Sequence, residues 1–464
     1  MPEQKMRIYS LNDLTPEVRA VTFAKCSRSP ESFDEIAKEL TEQKSAEFHE
    51  KWVVGYGHSS VAEHAVLSIA IENVSILATK VIEDNRLASY TEKSTRYQIF
   101  DRERCYKPRK IMDSPLGKLY EETANYLFDT YNELINPVSD YIKKITPQGE
   151  MAAKLYENVC KGKVCDIVRY LLPVATLTNL GMTINARNLE WAITKLLSQP
   201  LDEMQEIGQQ IKSIAIGVTP TLIKHADSSL FIIETNNALQ KIADEILQER
   251  PKPTEPVVLV EYDKDAENKL VTALLYRYSA LPYSEIKEKV SKIDQTEKEK
   301  IIDEALRRRE KYDRPLREFE HIYFTFDILI DYGAFRDIQR HRMCTQTNQA
   351  VATIHGYDTP KEIIELNLKN KFTSCMEKAE AAYKTIKKEF PEEAQYIVPL
   401  AYKKRTLITM NLRELHHFIK LRSGKAGHIS YRRIAQQVWD KLNEVYPLLA
   451  KYIAVDKSDE TLHT

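Results

Sequence analysis

Two stretches of alternating apolar and polar residues stand out in the chain. The first, Ala65 to Val74, follows the pair Glu63-His64, and the second, Ile322 to Ile330, follows the pair Glu320-His321. Alternation with a period of two is typical of a β-strand that has one buried face. The sequence therefore predicts the same arrangement, a Glu-His pair leading into a half-buried strand, at two places.

Helical spacing of apolar residues surrounds both strands. Amphipathic helices are predicted before the Glu-His pairs, helix-compatible stretches follow the strands, and each half continues with a polar loop and two or three long helices. The predicted helices are Ser32 to Leu40 and Tyr283 to Lys292 before the pairs, and Ile76 to Asn85 and Ala334 to Arg342 after the strands.

Direct comparison of the halves indicates an internal repeat. The segment EVRAVTFAKCSRSPESFDEI, from Glu17, aligns without a gap with ENKLVTALLYRYSALPYSEI, from Glu267, and INARNLEW around Asn185 matches MNLRELHH around Asn411. With the Glu-His pairs, these make three anchors in the same order, which random similarity rarely produces. We expect a first copy at residues 1–250 and a second at 257–464, joined by a linker that contains two prolines.

Composition excludes several classes of partner. The 464 residues include 67 basic and 68 acidic side chains, so the net charge of -1 argues against a protein that wraps a nucleic acid polymer. No apolar stretch approaches the roughly 20 residues that span a membrane, and the first residues lack the apolar core of a signal peptide. Because the six cysteines show no zinc-site spacing, we expect reduced thiols, no metal and a cytoplasmic location.

The densest cationic feature lies in the second copy, where Arg336 is followed by Arg340, His341 and Arg342. Guanidinium groups bind phosphate with two parallel hydrogen bonds, so this cluster is a candidate anion site, although a basic helix end is the alternative. The first copy has Asp84-Asn85-Arg86 at the matching place. It carries instead the loop Ser89 to Tyr97, which is rich in hydroxyl groups and suits phosphate or carbonyl recognition, unless it is an ordinary polar turn.

These motifs, in this order, resemble those of the flavin-dependent thymidylate synthases, and the resemblance extends over both copies. In the first copy it rests on Gly57 to His64, on Ser89, Glu92, Ser94, Arg96 and Tyr97, on Arg169 in RYLLP, and on Asn185 with Arg187. In the second copy it rests on Glu320-His321, Arg340 to Arg342, Asn411 with Arg413, Arg422 and His428. The resemblance implies an α+β fold of two tandem domains, each a mainly antiparallel sheet packed with long helices.

The resemblance also implies an activity. It is the FAD-dependent reductive methylation of dUMP to dTMP, with methylenetetrahydrofolate and NADPH as co-substrates. The implied catalytic residues are Arg340, Ser94 and Arg422. The implied cofactor-binding residues are His321, Arg340, His341, Arg342, Asn411, Arg413 and His428. The implied substrate-binding residues are Glu92, Ser94, Arg96, Arg169 and Arg422.

The copies depart from this pattern in complementary ways. The first copy lacks the Arg-His-Arg run and has Leu196 where the second has Arg422, while the second has Gln395 where the first has Arg169. Since members of the resembled family build each site at a subunit interface of a homotetramer, we expect composite sites here, formed by the two unlike halves, and a homodimer that mimics the tetramer. Independent decay of both copies is the alternative.

The substrate stays open between related nucleotides. Asp337 stands where the resembled family usually has a glutamine that touches the nucleotide, and a carboxylate there could prefer a base with a hydrogen-bond donor, such as cytosine. The sequence therefore also allows a related flavoenzyme that alkylates C5 of another pyrimidine nucleotide. A catalytically silent flavin- or nucleotide-binding homologue is the third reading.

Overall fold

The computed structural model describes residues 6–49 and 59–459. The chain divides into two compact units, and each unit takes residues from two separate parts of the sequence. Unit 1 comprises Met1–Lys93 and Thr176–Glu249, and unit 2 comprises Ser94–Ala175 and Arg250–Thr464. The compact units thus do not follow the repeat, because residues 94–175 of the first copy belong to unit 2. The expected boundaries at 250 and 257 stay a prediction about the duplicated segment.

Unit 1 contains a three-stranded antiparallel sheet with the order β1-β3-β2. The strands are β1 (Val66–Ser75), β2 (Ala88–Glu92) and β3 (Leu177–Asn185). The alternation read from the sequence places Leu67, Ile69 and Ile71 on the buried face of β1. Its helices are Pro16–Cys26, Phe33–Glu39, Glu42–His49, Ile76–Ile82, Ala186–Leu197, Asp202–Val218, Pro220–Ile223 and Leu230–Ile246, with a 3-10 helix at Ser59–His64.

Unit 2 contains a four-stranded antiparallel sheet with the order β4-β5-β7-β6. The strands are β4 (Val257–Tyr262), β5 (Tyr323–Asp331), β6 (Thr345–Asn348) and β7 (Lys403–Asn411). Its helices are Arg109–Met112, Gly117–Ile145, Ala153–Val168, Ala266–Tyr276, Tyr283–Val290, Gln295–Leu306, Tyr332–Ile338, Lys361–Glu365, Lys369–Ile386, Leu412–Ser423, Ile429–Val445 and Pro447–Ala450. Short 3-10 helices lie at Arg169–Leu171, Arg317–His321 and Glu393–Ile397. The predicted fold class, α+β with antiparallel sheets and long helices, is confirmed.

The two copies share the same strand register. Val66 of β1 pairs with Asn185 of β3, and Tyr323 of β5 pairs with Asn411 of β7. In both copies the asparagine that ends the strand also caps the following helix, because its side chain accepts a hydrogen bond from the backbone N–H three residues later. A polar cap starts the helix after the other strand too. The first copy uses Ser75 and the second uses Asp331.

Equivalent turns of the two copies meet inside unit 2. Pro173 of the first copy and Pro399 of the second form an isolated antiparallel bridge, and Val174 N–H donates to Val398 O at 2.9 Å. Contacts between the same surface of two related units are the signature of a twofold arrangement. The helix Gly117–Ile145 of the first copy also packs against Lys369–Ile386 of the second. One unit therefore combines segments of both copies.

Several predicted elements have different bounds. The helix expected at Ala334 to Arg342 is observed at Tyr332–Ile338, so the Arg-His-Arg run lies in the turn after the helix. The loop expected at Ser89 to Tyr97 begins as strand β2, because Ala88 to Glu92 pair with β3. The sequence predicts none of the strands β3, β4, β6 and β7. Gly57 and His58, part of the resemblance in the first copy, lie outside the described residues.

Candidate active site

Three arginines from both copies meet in unit 2, and we call them the arginine cluster: Arg96 and Arg169 from the first copy and Arg422 from the second. Arg96 is held by Asp166, which the sequence analysis did not single out. Its Nε and Nη2 donate to the two carboxylate oxygens of Asp166, both at 2.8 Å. This bidentate geometry is the strongest form of an arginine-carboxylate contact. The remaining nitrogen, Nη1, lies 3.4 Å from Tyr431 Oη and from Ala426 O.

Arg169 is the most deeply buried member of the arginine cluster. Its side chain is 2% exposed, and Nε lies 3.9 Å from Asp166 Oδ1. Among the described residues, neither Nε nor Nη2 of Arg169 has a hydrogen-bond partner. Buried polar groups in proteins are nearly always hydrogen-bonded, and an unsatisfied charged donor is costly. The two N–H groups can therefore donate hydrogen bonds to an oxygen-bearing anion.

Asp166 is charged at neutral pH. Burial alone would raise the pKa of this carboxyl, but His428, Arg169 and Arg96 outweigh the burial and hold the pKa at about 2. The two arginines supply the attraction at neutral pH, because burial lowers the pKa of His428 to about 3 and leaves that ring uncharged. Two permanent cations thus share one permanent anion, and the charge balance near Asp166 favours a second anion.

Arg422 is positioned by a chain of hydrogen bonds within the second copy. Its Nε donates to His341 Nε2 at 2.9 Å, and His341 Nδ1 lies 2.6 Å from Glu414 Oε1. Burial lowers the pKa of His341 although Glu414 acts in the opposite direction. The neutral ring therefore carries its proton on Nδ1, facing Glu414, and accepts from Arg422. Asn411 supports the chain from below, since its side chain accepts from Glu414 N–H at 2.8 Å.

Tyr431, Asp337 and His428 complete the surroundings of the arginine cluster. The guanidinium of Arg422 lies over the Tyr431 ring, 5.4 Å from its centre, and one Arg422 nitrogen is 3.6 Å from Asp337. His428 is 5% exposed and caps the helix Ile429–Val445, because its Nδ1 accepts from Ser430 N–H at 3.2 Å. An acceptor-only carboxylate thus lies beside donors that could bind a ligand.

The residues expected to bind a cofactor occupy varied positions. Arg340 and Arg342 are exposed on either side of buried His341, in the turn that follows Ile338, and His321 is exposed at the end of its 3-10 helix. Two exposed cations beside the arginine cluster fit the diphosphate of a dinucleotide.

Arg413 is engaged by the protein itself. It donates to Glu320 at 2.7 Å and to Pro315 O at 2.8 Å. The first copy has the same ion pair between Arg187 and Glu63. The pair thus recurs in both copies, which points to a role in joining the helix to the Glu-His motif.

The two remaining site residues lie on either side of the unit boundary. Ser94 belongs to unit 2, where its Oγ accepts from Arg96 N–H at 3.1 Å. Glu92 belongs to unit 1, where it is buried and accepts from Lys80 Nζ and from Thr79 Oγ1, both at 3.1 Å. Lys80 also pairs with Glu83. The structure therefore gathers Ser94 with the arginine cluster and gives Glu92 a set of its own partners in unit 1.

Sequence reasoning missed Asp166, Glu414 and Tyr431. Asp166 lies one helical turn before Arg169, a spacing that places the two side chains on one face and could have drawn attention to it. Glu414 and Tyr431 carry no such signal, because their partners are distant in the chain.

In the described part of the chain, no helix combines the length and the apolar composition needed to cross a membrane.

The model of a protein family described as thymidylate synthase complementing protein, Thy1, matches the chain twice, over residues 10–221 and 258–448. A UPF0159 protein of Chlamydia muridarum is 34% identical over 98% of this chain and 93% of its own length. A UPF0159 protein of Thermoplasma acidophilum is 30% identical over 91% of both chains. These relatives therefore resemble the chain over nearly its whole length.

Shorter relatives match part of the chain. A flavin-dependent thymidylate synthase of Clostridium tetani is 27% identical over 42% of this chain and 80% of its own length. A solved structure of the flavin-dependent thymidylate synthase of Helicobacter pylori, complexed with FAD and dUMP, covers 43% of this chain and 99% of that one. It shares 17% of its residues with this chain, at a TM-score of 0.32.

Proposed function

The chain belongs to the thymidylate synthase complementing protein family, which it matches twice, and we propose on that premise that it is a flavin-dependent thymidylate synthase. The reaction is the reductive methylation of dUMP to dTMP with FAD, methylenetetrahydrofolate and NADPH. The observation that carries the proposal is Arg169, a buried guanidinium in a cluster built from both copies, with two N–H groups that have no hydrogen-bond partner among the described residues. Such a group fits the phosphate of a nucleotide.

The residues of unit 2 divide the work between binding and orientation. Arg169 binds the nucleotide phosphate, while Arg96 neutralises Asp166 and keeps it from repelling that phosphate. Arg422 faces the pyrimidine, where a fixed cation stabilises negative charge that develops on the ring and makes C5 more nucleophilic. His341 and Glu414 hold Arg422 in place. No covalent bond between a cysteine and the substrate is needed.

The exposed turn after Ile338 is the place for the cofactor. Arg340 and Arg342 hold the diphosphate of FAD by charge-assisted hydrogen bonds. Bound FAD, once reduced by NADPH, supplies the hydride that becomes part of the product methyl group, and methylenetetrahydrofolate supplies the carbon. The protein contributes placement and electrostatics. Four residues stay predictions for the flavin or folate pocket: His321, Asn411, Arg413 and His428. Of these, Asn411 and His428 also cap helices, and Arg413 also forms an ion pair with Glu320.

Purified protein tests the proposal directly. We expect it to bind FAD, to lose its flavin absorbance on addition of NADPH, and to convert dUMP to dTMP when methylenetetrahydrofolate is present. Deuterium carried by the reduced flavin should appear in the methyl group of dTMP. Arg169→Met should abolish dUMP binding, whereas Arg102→Met should change nothing, since Arg102 is 61% exposed and pairs with Asp129 at 3.7 Å. Protein that takes up neither FAD nor dUMP refutes the proposal.

A related substrate is the second candidate, and Asp337 is the observation that favours it. Its carboxylate lies beside Arg422 and can accept hydrogen bonds but not donate them. Carboxylates accept from the exocyclic amine of cytosine, so a cytosine nucleotide is an alternative substrate for C5 alkylation. Turnover of dCMP in place of dUMP distinguishes the candidates.

The expected homodimer is a further part of the proposal, and sedimentation measures it.

A further inference from the structure

The hydroxyl group of Tyr431 has a place in the arginine cluster but no assigned task. Tyr431 lies in the first turn of the helix Ile429–Val445 and is 4% exposed. Its oxygen receives Arg96 Nη1 at 3.4 Å, and its ring supports the guanidinium of Arg422. Two cations from different copies therefore converge on one phenol.

The proton of this hydroxyl has no acceptor among the described residues. A phenol is both a donor and an acceptor. Tyr431 uses its acceptor capacity on Arg96, and no carbonyl or carboxylate oxygen in the described part of the chain lies within hydrogen-bond distance to receive its proton. Buried tyrosine hydroxyls usually find a partner. Tyr431 contacts Arg96, and Arg169 lies beside Asp166. Each of the two thus presents a buried donor that has no acceptor among the described residues.

Tyr431 acts as a donor at neutral pH. Burial raises the pKa of its hydroxyl, and the negative charge of Asp337 raises that pKa further. Asp337 lies near this tyrosine, because one of its oxygens is 3.6 Å from an Arg422 nitrogen and the Arg422 guanidinium lies over the Tyr431 ring. Tyr431 and Asp337 therefore offer a ligand one donor and one acceptor side by side.

This pairing fits a ring edge better than a phosphate. The phosphate of a nucleotide is mostly a dianion with acceptor oxygens at neutral pH, and Asp337 would repel it. The edge of a pyrimidine carries a carbonyl oxygen next to a ring N–H, which complements one donor and one acceptor. Arg169 offers a positive charge and two N–H groups that have no hydrogen-bond partner among the described residues, which suit the phosphate end.

We propose that Tyr431 is a substrate-binding residue whose O–H donates to a ring carbonyl oxygen of the pyrimidine nucleotide, while Asp337 accepts from the neighbouring ring N–H. The inference rests on the proposed function, because it takes the arginine cluster as the nucleotide site. It adds a base-binding residue from the second copy to the phosphate-binding residue Arg169 from the first copy.

Binding of three probes to Tyr431→Phe tests the inference. The substitution removes one oxygen and keeps the ring under Arg422. We expect the dissociation constants of dUMP and of deoxyuridine, measured by calorimetry, to rise about tenfold, as for the loss of one buried hydrogen bond. The affinity for inorganic phosphate should stay within twofold of wild type. Arg169→Met should lose the binding of both probes that carry phosphate, dUMP and inorganic phosphate, and keep the affinity for deoxyuridine within twofold of wild type.

Tyr446→Phe is the matched control, because Tyr446 lies in the same unit and its hydroxyl donates to Asp263 O at 2.7 Å. It should leave all three affinities unchanged. A Tyr431→Phe protein that binds dUMP within twofold of wild type overturns the assignment, and so does an equal loss for phosphate and dUMP. If wild-type protein binds no dUMP, the proposed function fails and takes this inference with it, so the two failures are distinguishable.

Discussion

Replacing Asp166 by asparagine should destabilise unit 2, because it leaves buried Arg169 and half-buried Arg96 without their shared counterion. The pKa of Asp166 falls from 3.8 to about 2 on folding. At about 1.4 kcal/mol for each pKa unit, the charged form contributes about 2 kcal/mol to the free energy of unfolding at pH 7. Buried ion pairs that lose one partner cost up to about 5 kcal/mol. We therefore expect Asp166→Asn to lose about 2 to 5 kcal/mol.

The dependence on pH has a definite sign. Because folding lowers the pKa of Asp166, its contribution is fully present above the unfolded value of 3.8 and is lost as the pH falls through about 2. The gap in stability between wild type and Asp166→Asn should thus be constant between pH 5 and pH 7. At pH 3 the gap should be narrower by about 1 kcal/mol.

Urea unfolding followed by tryptophan fluorescence measures this gap. Of the three tryptophans, Trp439 lies in unit 2, where its indole donates to Ala450 O at 3.1 Å, so replacing Trp52 and Trp191 by phenylalanine leaves one reporter for that unit. Asp129→Asn is the control, since Asp129 is 53% exposed and pairs with Arg102 at 3.7 Å; it should cost less than about 0.5 kcal/mol. An Asp166→Asn protein as stable as this control, or a gap that ignores pH, refutes the reasoning.

Three further outcomes are expected. Arg340→Ala, at an exposed position, should leave the free energy of unfolding within about 0.5 kcal/mol of wild type and weaken FAD binding at least tenfold, which separates a binding role from a structural one in a titration of flavin fluorescence. Mixing inactive Arg169→Ala and Arg422→Ala chains should restore no activity, since both residues lie in one unit of one chain; recovery of turnover would instead mean that the site closes across chains. Burial raises the pKa of Asp331 to about 6, so this carboxyl should contribute stability below pH 3.8 and lose that contribution as the pH rises through 6. Asp331→Asn keeps a side-chain acceptor for the helix cap, and its free energy of unfolding in urea should gain up to about 3 kcal/mol relative to wild type between pH 4 and pH 8. An unchanged difference across that range would contradict the burial of a charged carboxylate.

Local patterns in the sequence were sufficient for strands β1 and β5 and for the repeat. The alternation after each Glu-His pair placed β1 and β5 within one residue of their observed bounds, because period two has a single geometric meaning. The prediction for the helix after β5 began two residues too late and ended four residues too late. Helix ends depend on which tertiary contacts the last turn can make, and here buried His341 is bound to Glu414, far along the chain.

Residue types identified the chemistry of the site only in part. Arg96, Arg169 and Arg422 were predicted from the resemblance, and the structure brings them together in unit 2. The partners that decide what each arginine can do, above all Asp166 and Tyr431, were not predicted. Two nitrogens of Arg96 donate to Asp166, whereas two nitrogens of Arg169 have no hydrogen-bond partner in the described part of the chain. No sequence pattern distinguishes these two arginines.

The sequence by itself determined that the chain contains one fold twice, and that the cationic motifs survive in different copies. Both conclusions depend on side-chain order along the chain, which a repeat preserves. Only the tertiary structure decided that residues 94–175 of the first copy pack with the second, through the paired turns at Pro173 and Pro399. That choice depends on which surfaces bury each other, a property of two segments about 230 residues apart, and it is what places arginines of both copies in one site.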